Sequence, residues 1–98
     1  MTLTYEQLKN TMDQGGVQAG VELVVSSLLK VNKIVLTDKG KRVFSAWLVE
    51  YCEDRYGFTA NMLVLFGLQK QDWLMELIRE AMLSPKFMER LGVDPNKV

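Results

Sequence analysis

A chain of 98 residues makes one domain or one subunit of an oligomer, and a 48% apolar composition excludes a disordered body. Its 12 basic and 12 acidic side chains cancel, leaving no overall basic excess for non-specific nucleic-acid binding. The absence of histidine removes Ser-His and Cys-His catalysis, histidine metal sites and the commonest acid–base group.

Thr4 begins the first element, with Gln7 completing a capping-box pattern. Tyr5, Leu8 and Met12 fall on one helical face, and Gly15-Gly16 is expected to end this short helix. A second helix is expected over 17–31. Val17, Val21, Val24, Val25, Leu28 and Val31 recur at helical spacing, with Glu22, Ser26 and Lys30 opposite. "KIVLT" at 33–37 reads either as a short strand, part of a hairpin, or as an extended linker.

From about Asp38 to Tyr56 a helix is predicted. Thr37 or Asp38 caps it, and Gly57 stands at the usual C′ position. Val43, Trp47 and Tyr51 form one ridge; Phe44, Leu48 and Cys52 form the next. "FTANMLVLFG" opens on a capping Thr59 and is expected to close at Gly67. Being apolar all round, it is expected at the buried centre. Trp73, Leu74, Leu77, Ile78, Ala81 and Met82 make one face of the next helix, with Asp72, Glu76, Arg79 and Glu80 opposite. Ser84, Pro85 and Gly92 frame a short last helix, with Phe87 and Leu91 inward. The expected fold is therefore all-α: a compact bundle of five to six short helices over 1–92, with a flexible tail at 93–98.

Few chemistries remain open. One cysteine cannot build a zinc site or an intrachain disulfide, which fits a reducing compartment. Cys52, on an apolar ridge beside acids, is expected to be inert. Gly15-Gly16 lacks the lysine and hydroxyl of a phosphate loop. The carboxylate groups Glu50, Glu53 and Asp54, and Asp72, Glu76 and Glu80, read as solvated helix faces rather than cation sites. No catalytic residue, cofactor or metal is assigned. "MTLTYEQLKN" lacks a basic region followed by an apolar core, and no apolar run approaches a membrane span. A cytoplasmic protein with no membrane partner is expected.

Interaction is the role left. A chain this small cannot bury so much apolar surface internally, so part of it should face a protein partner or a second copy. The helix over 38–56 also carries its charges in reverse. Lys39, Lys41 and Arg42 lie at its start, and Glu50, Glu53 and Asp54 at its end, opposite to the preference of the helix dipole. That order costs only about 0.3–1 kcal/mol per exposed charge, little enough for a packed apolar face to override. It suits head-to-tail pairing in a homodimer. Trp47 and Trp73 are the aromatic anchor candidates, though core packing is the commoner use.

The competing reading is a small DNA-binding regulator. "NMLVLFGLQKQDWLMELI" resembles a helix-turn-helix, with Gly67 in the turn and Trp73 inward, giving a corner over 60–82. Leu63 departs from the small residue the motif prefers. Asp72, Glu76 and Glu80 repel phosphate on the would-be reading helix, where Lys70, Gln71 and Arg79 are the useful contacts. "KIVLTDKGKRV" is similar, over about ten residues, to the lead of winged-helix repressors, without their upstream recognition element. The basic set Lys30, Lys33, Lys39, Lys41 and Arg42 could attract an anion to a helix N-terminus.

Overall fold

The computed structural model describes residues 3–91, folded as five helices. These are α1 (Tyr5–Val31), α2 (Asp38–Tyr56), α3 (Ala60–Gln69), α4 (Gln71–Met82) and α5 (Pro85–Arg90). The all-α expectation holds. The expected tail at 93–98 and the expected terminal glycine, Gly92, lie outside the described residues.

Capping chemistry sets the helix starts. Thr4 Oγ1 accepts from the Gln7 N–H at 3.2 Å, and Gln7 Oε1 accepts from the Thr4 N–H at 3.1 Å, closing the capping box. Thr37 Oγ1 accepts from the Gly40 N–H at 3.0 Å, and Thr59 Oγ1 from the Met62 N–H at 3.3 Å. Pro85 opens α5, while the Ser84 side chain makes no capping bond. Gly57 ends α2 with φ 73°, as expected.

Gly16 (φ 78°, ψ −173°) ends the first helical segment as expected, so α1 is two helical segments, 5–15 and 17–31, meeting at a kink. Of the two readings of 33–37 the linker holds, and two other expectations change, those for Gly67 and for α3. No strand forms among the described residues. After Lys33 (φ 59°), residues 34–37 run extended, with Ile34 and Leu36 half-buried and Val35 exposed. The local alternation is strand-like, but only helices lie nearby and no ladder partner exists. Gly67 is not in a turn: α3 continues to Gln69, and Lys70 alone joins it to α4. Finally, α3 is not the buried centre. It lies on one side of the bundle, burying Leu63, Val64 and Gly67 while Leu65 stays 49% exposed.

The reason lies in α1. Beyond the Gly16 kink its residues 17–31 run about 22 Å at about 1.5 Å per residue, in a molecule of 43 by 27 by 25 Å. This is the helix against which both α2 and α3 pack. Its Val21, Val24, Val25, Leu28 and Leu29 are buried and hold the centre. Gly67 lets α3 press directly on it: a Cβ there would come within 2.4 Å of Val24 Cγ1. The central contact is therefore valine on bare backbone. α2 adds Phe44, Trp47, Leu48 and Cys52; α4 adds Leu74, Met75, Leu77, Ile78 and Ala81. Each fully buried side chain of this size is worth about 1.5–3 kcal/mol in transfer energy. Phe87 of α5 meets Phe44 edge-on, with ring centroids 4.9 Å apart.

Candidate interaction surfaces

Three surfaces carry the side chains of interest. The first is the outer face of α2. Burial of Phe44, Ser45, Trp47, Leu48 and Cys52 fixes the helix's rotation, so Lys39, Arg42, Ala46, Glu50 and Glu53 face outward and are exposed. At about 100° per residue, Lys41 is turned from Arg42 toward the core edge. Asp54 is likewise turned away from Glu53, although it remains exposed. The six charged candidates thus do not share one face. Glu50 accepts from Arg90 Nη2 of α5 at 2.6 Å. Lys39, Arg42, Glu53 and Asp54 make no ion pair among the described residues.

The second surface is a pocket of about 240 Å³ at the start of α2. Leu29, Ile34, Val35 and Leu36 line it, with Lys30, Lys33 and Lys41 around them. Only these three members of the basic set meet here. Lys39 and Arg42 belong to the outer face of α2.

The third surface runs across α3. On one side, Tyr5, Leu8, Met12, Val64, Leu65 and Leu68 line an apolar groove of about 280 Å³ between α1 and α3. On the other, Phe58, Phe66 and Trp73 form an edge-to-face aromatic cluster, with Tyr56 stacked on Phe58 at 5.5 Å. Tyr5 is 69% exposed, Trp73 43% and Tyr56 41%. Trp73 was expected inward and instead stands half out of the surface. One face of α4 cannot contain the whole apolar set from Trp73 to Met82, and Leu74, Leu77, Ile78 and Ala81 take the core.

Trp47 is the opposite case. It is 5% exposed, and its indole N–H donates to the Ala81 carbonyl at 3.1 Å. The Arg90 guanidinium lies 5.2 Å from its ring centroid. Trp47 is therefore a core residue, not an exposed anchor.

The acidic groups on α4 are engaged separately. Glu80 accepts from Tyr56 Oη at 2.7 Å and lies 3.5 Å from Arg55 Nε. Glu76 pairs with Arg79 at 2.9 Å, and Arg79 also reaches Asn32 Oδ1 at 3.4 Å. The Glu80 hydrogen bond, followed by burial, raises the Tyr56 pKa. Burial, followed by the Glu80 charge, raises that of Tyr51. Cys52 has no solvent exposure. Burial pushes its thiol up to about 11, and Glu80 adds to the effect.

No family model, curated protein or solved structure matches this chain. No helix among the described residues is long and apolar enough to cross a membrane.

Sequence reasoning did not single out Leu65, Met62, Tyr5 or Tyr56. The signal was present in α3. Ten residues with only Asn61 and Gln69 polar cannot all face inward on a helix that ends up at the side of a small bundle.

Proposed function

We propose that the chain is a non-enzymatic protein–protein interaction module: a small regulator, inhibitor or accessory subunit of a larger cytoplasmic complex. The observation that carries this reading is α3. The fold buries its Leu63, Val64 and Gly67, while Met62 and Leu65 stay exposed on the other side beside Asn61 and Gln69. Exposed parts of Tyr5, Met62, Leu65, Trp73 and Tyr56 stand along or beside α3, from α1, α3, α4 and the end of α2. Exposed apolar side chains gathered round a groove mark binding sites, and half-exposed Trp and Tyr are their usual anchors. Asp13, Lys9 and Asn61 beside the groove supply a polar rim.

The DNA-binding alternative has less support. A one-residue connection at Lys70 replaces the usual three- or four-residue turn. The exposed side of α4 presents Asp72 and Glu76, and its Arg79 is already tied to Glu76.

The test is Leu65→Glu. Position 65 is half exposed, so the fold should survive, as helical circular dichroism can verify. In extracts of the native host, the unaltered chain is expected to migrate in a complex larger than its purified form, and L65E outside that complex. Equal migration of the two proteins contradicts the reading. Salt-sensitive binding of purified protein to mixed duplex DNA, weakened by neutralising Lys39, Lys41 and Arg42, supports the alternative.

A further inference from the structure

The outer face of α2 carries a symmetric charge pattern. Lys39, Arg42, Ala46, Val49 and Glu53 follow at alternating steps of three and four residues, the spacing of a seam along which helices pack. Lys39 and Glu53 stand seven residues either side of Ala46, and Arg42 and Glu50 four residues either side. Bases occupy one half of the face and acids the other. All five of Lys39, Arg42, Ala46, Glu50 and Glu53 are exposed.

We infer that α2 pairs antiparallel with α2 of a second copy of this chain, about a two-fold axis at Ala46. The inference rests on the interaction reading above and gives a partner to a face distinct from α3. Antiparallel pairing sets Lys39 and Arg42 of each copy against Glu50 and Glu53 of the other. Two identical clusters of four charges result, their centres about 16 Å apart along the helix. Parallel pairing opposes like charges. A foreign acidic helix satisfies only the basic half of the face, whereas a second copy satisfies both halves at once.

Three details favour close approach. Ala46 leaves room for the backbones at the axis. Half-buried Val43 and Val49 flank it with apolar surface. Glu50 uses one oxygen on Arg90 and keeps the other for an incoming guanidinium. The second copy also brings acids to the N-terminal turn and bases to the C-terminal turn, where the helix dipole favours them.

Sedimentation equilibrium of the full chain at low ionic strength tests this with K39E, E53K and the double variant. Each single change corrects the dipole order of the monomer, so weakened association cannot be assigned to misfolding. The unaltered chain is expected to show a monomer–dimer equilibrium that added salt weakens. Each single variant should raise its dissociation constant about tenfold, because reversed charges meet like charges at both ends. The double variant should return to within about threefold of the original value. Ala46→Cys should oxidise to a covalent dimer, with buried Cys52 not competing.

A monomer at every concentration overturns the inference, and so does a dimer that the single reversals leave unchanged. L65E separates this outcome from the broader reading. It should leave the α2 dimer intact while removing the foreign partner, and retention of that L65E effect without α2 pairing keeps the interaction module and discards its self-association.

Discussion

Trp47 and Trp73 were indistinguishable as interaction candidates in the sequence, and the fold separates them by rotation. Trp47 sits on α2 within reach of the Ala81 carbonyl, which makes it a polar tie between two helices inside the core. Trp47→Phe should cost about 0.5–1.5 kcal/mol in denaturant unfolding through loss of that hydrogen bond, since the carbonyl keeps the Ser84 N–H at 3.2 Å. Cys52 was legible as inert because its ridge is apolar. Its thiol, raised to about 11, ionises first in the unfolded chain. Both states are protonated below the usual thiol pKa of 9.0, where the full contribution is present. As pH rises from 9.0 to about 11, stability should fall by about 2 kcal/mol. Chemical denaturation across that range checks the slope, and Cys52→Ala should flatten it while lowering stability at every pH.

Helices were readable wherever caps and period agreed. Thr4, Thr37, Thr59 and Gly57 all sit where the sequence pattern places them. Gly16 was expected to end a helix and does so, leaving helical geometry between two helical segments. Its φ of 78° with ψ near −173° is a region open essentially to glycine alone. Gly16→Ala should therefore destabilise the protein by about 1–3 kcal/mol, visible as a lower melting temperature. Gly67 was expected to make a turn because no sequence signal reveals what will press on a backbone. Its role is close approach to Val24. Gly67→Ala should cost about 1–3 kcal/mol by overpacking, and Val24→Ala in the same chain should recover part of the loss caused by the added methyl.

At the scale of the whole molecule, composition already indicated more apolar surface than a chain this short can hide. It could not indicate which surface stays open. That depends on α1, which is long enough to serve as the common wall for α2 and α3 and so leaves α3 at the side. The reversed charges of α2 were legible as an oddity of order. Only the burial of its Phe44–Leu48 face shows that Lys39, Arg42, Glu50 and Glu53 look outward together while Lys41 turns away to the basic pocket. The molecule thus presents two open faces of different chemistry, one charged and symmetric, the other with exposed Leu65 and Met62 and half-exposed aromatic side chains. The central claim is that the apolar face on α3 is a contact surface for another protein. A photo-reactive side chain placed at Leu65 in the native host, with exposed Lys86 as the control position, tests it most directly. A discrete adduct with a different protein at position 65 but not at 86 is the predicted result. Equal labelling at the two positions, or none at either, contradicts it.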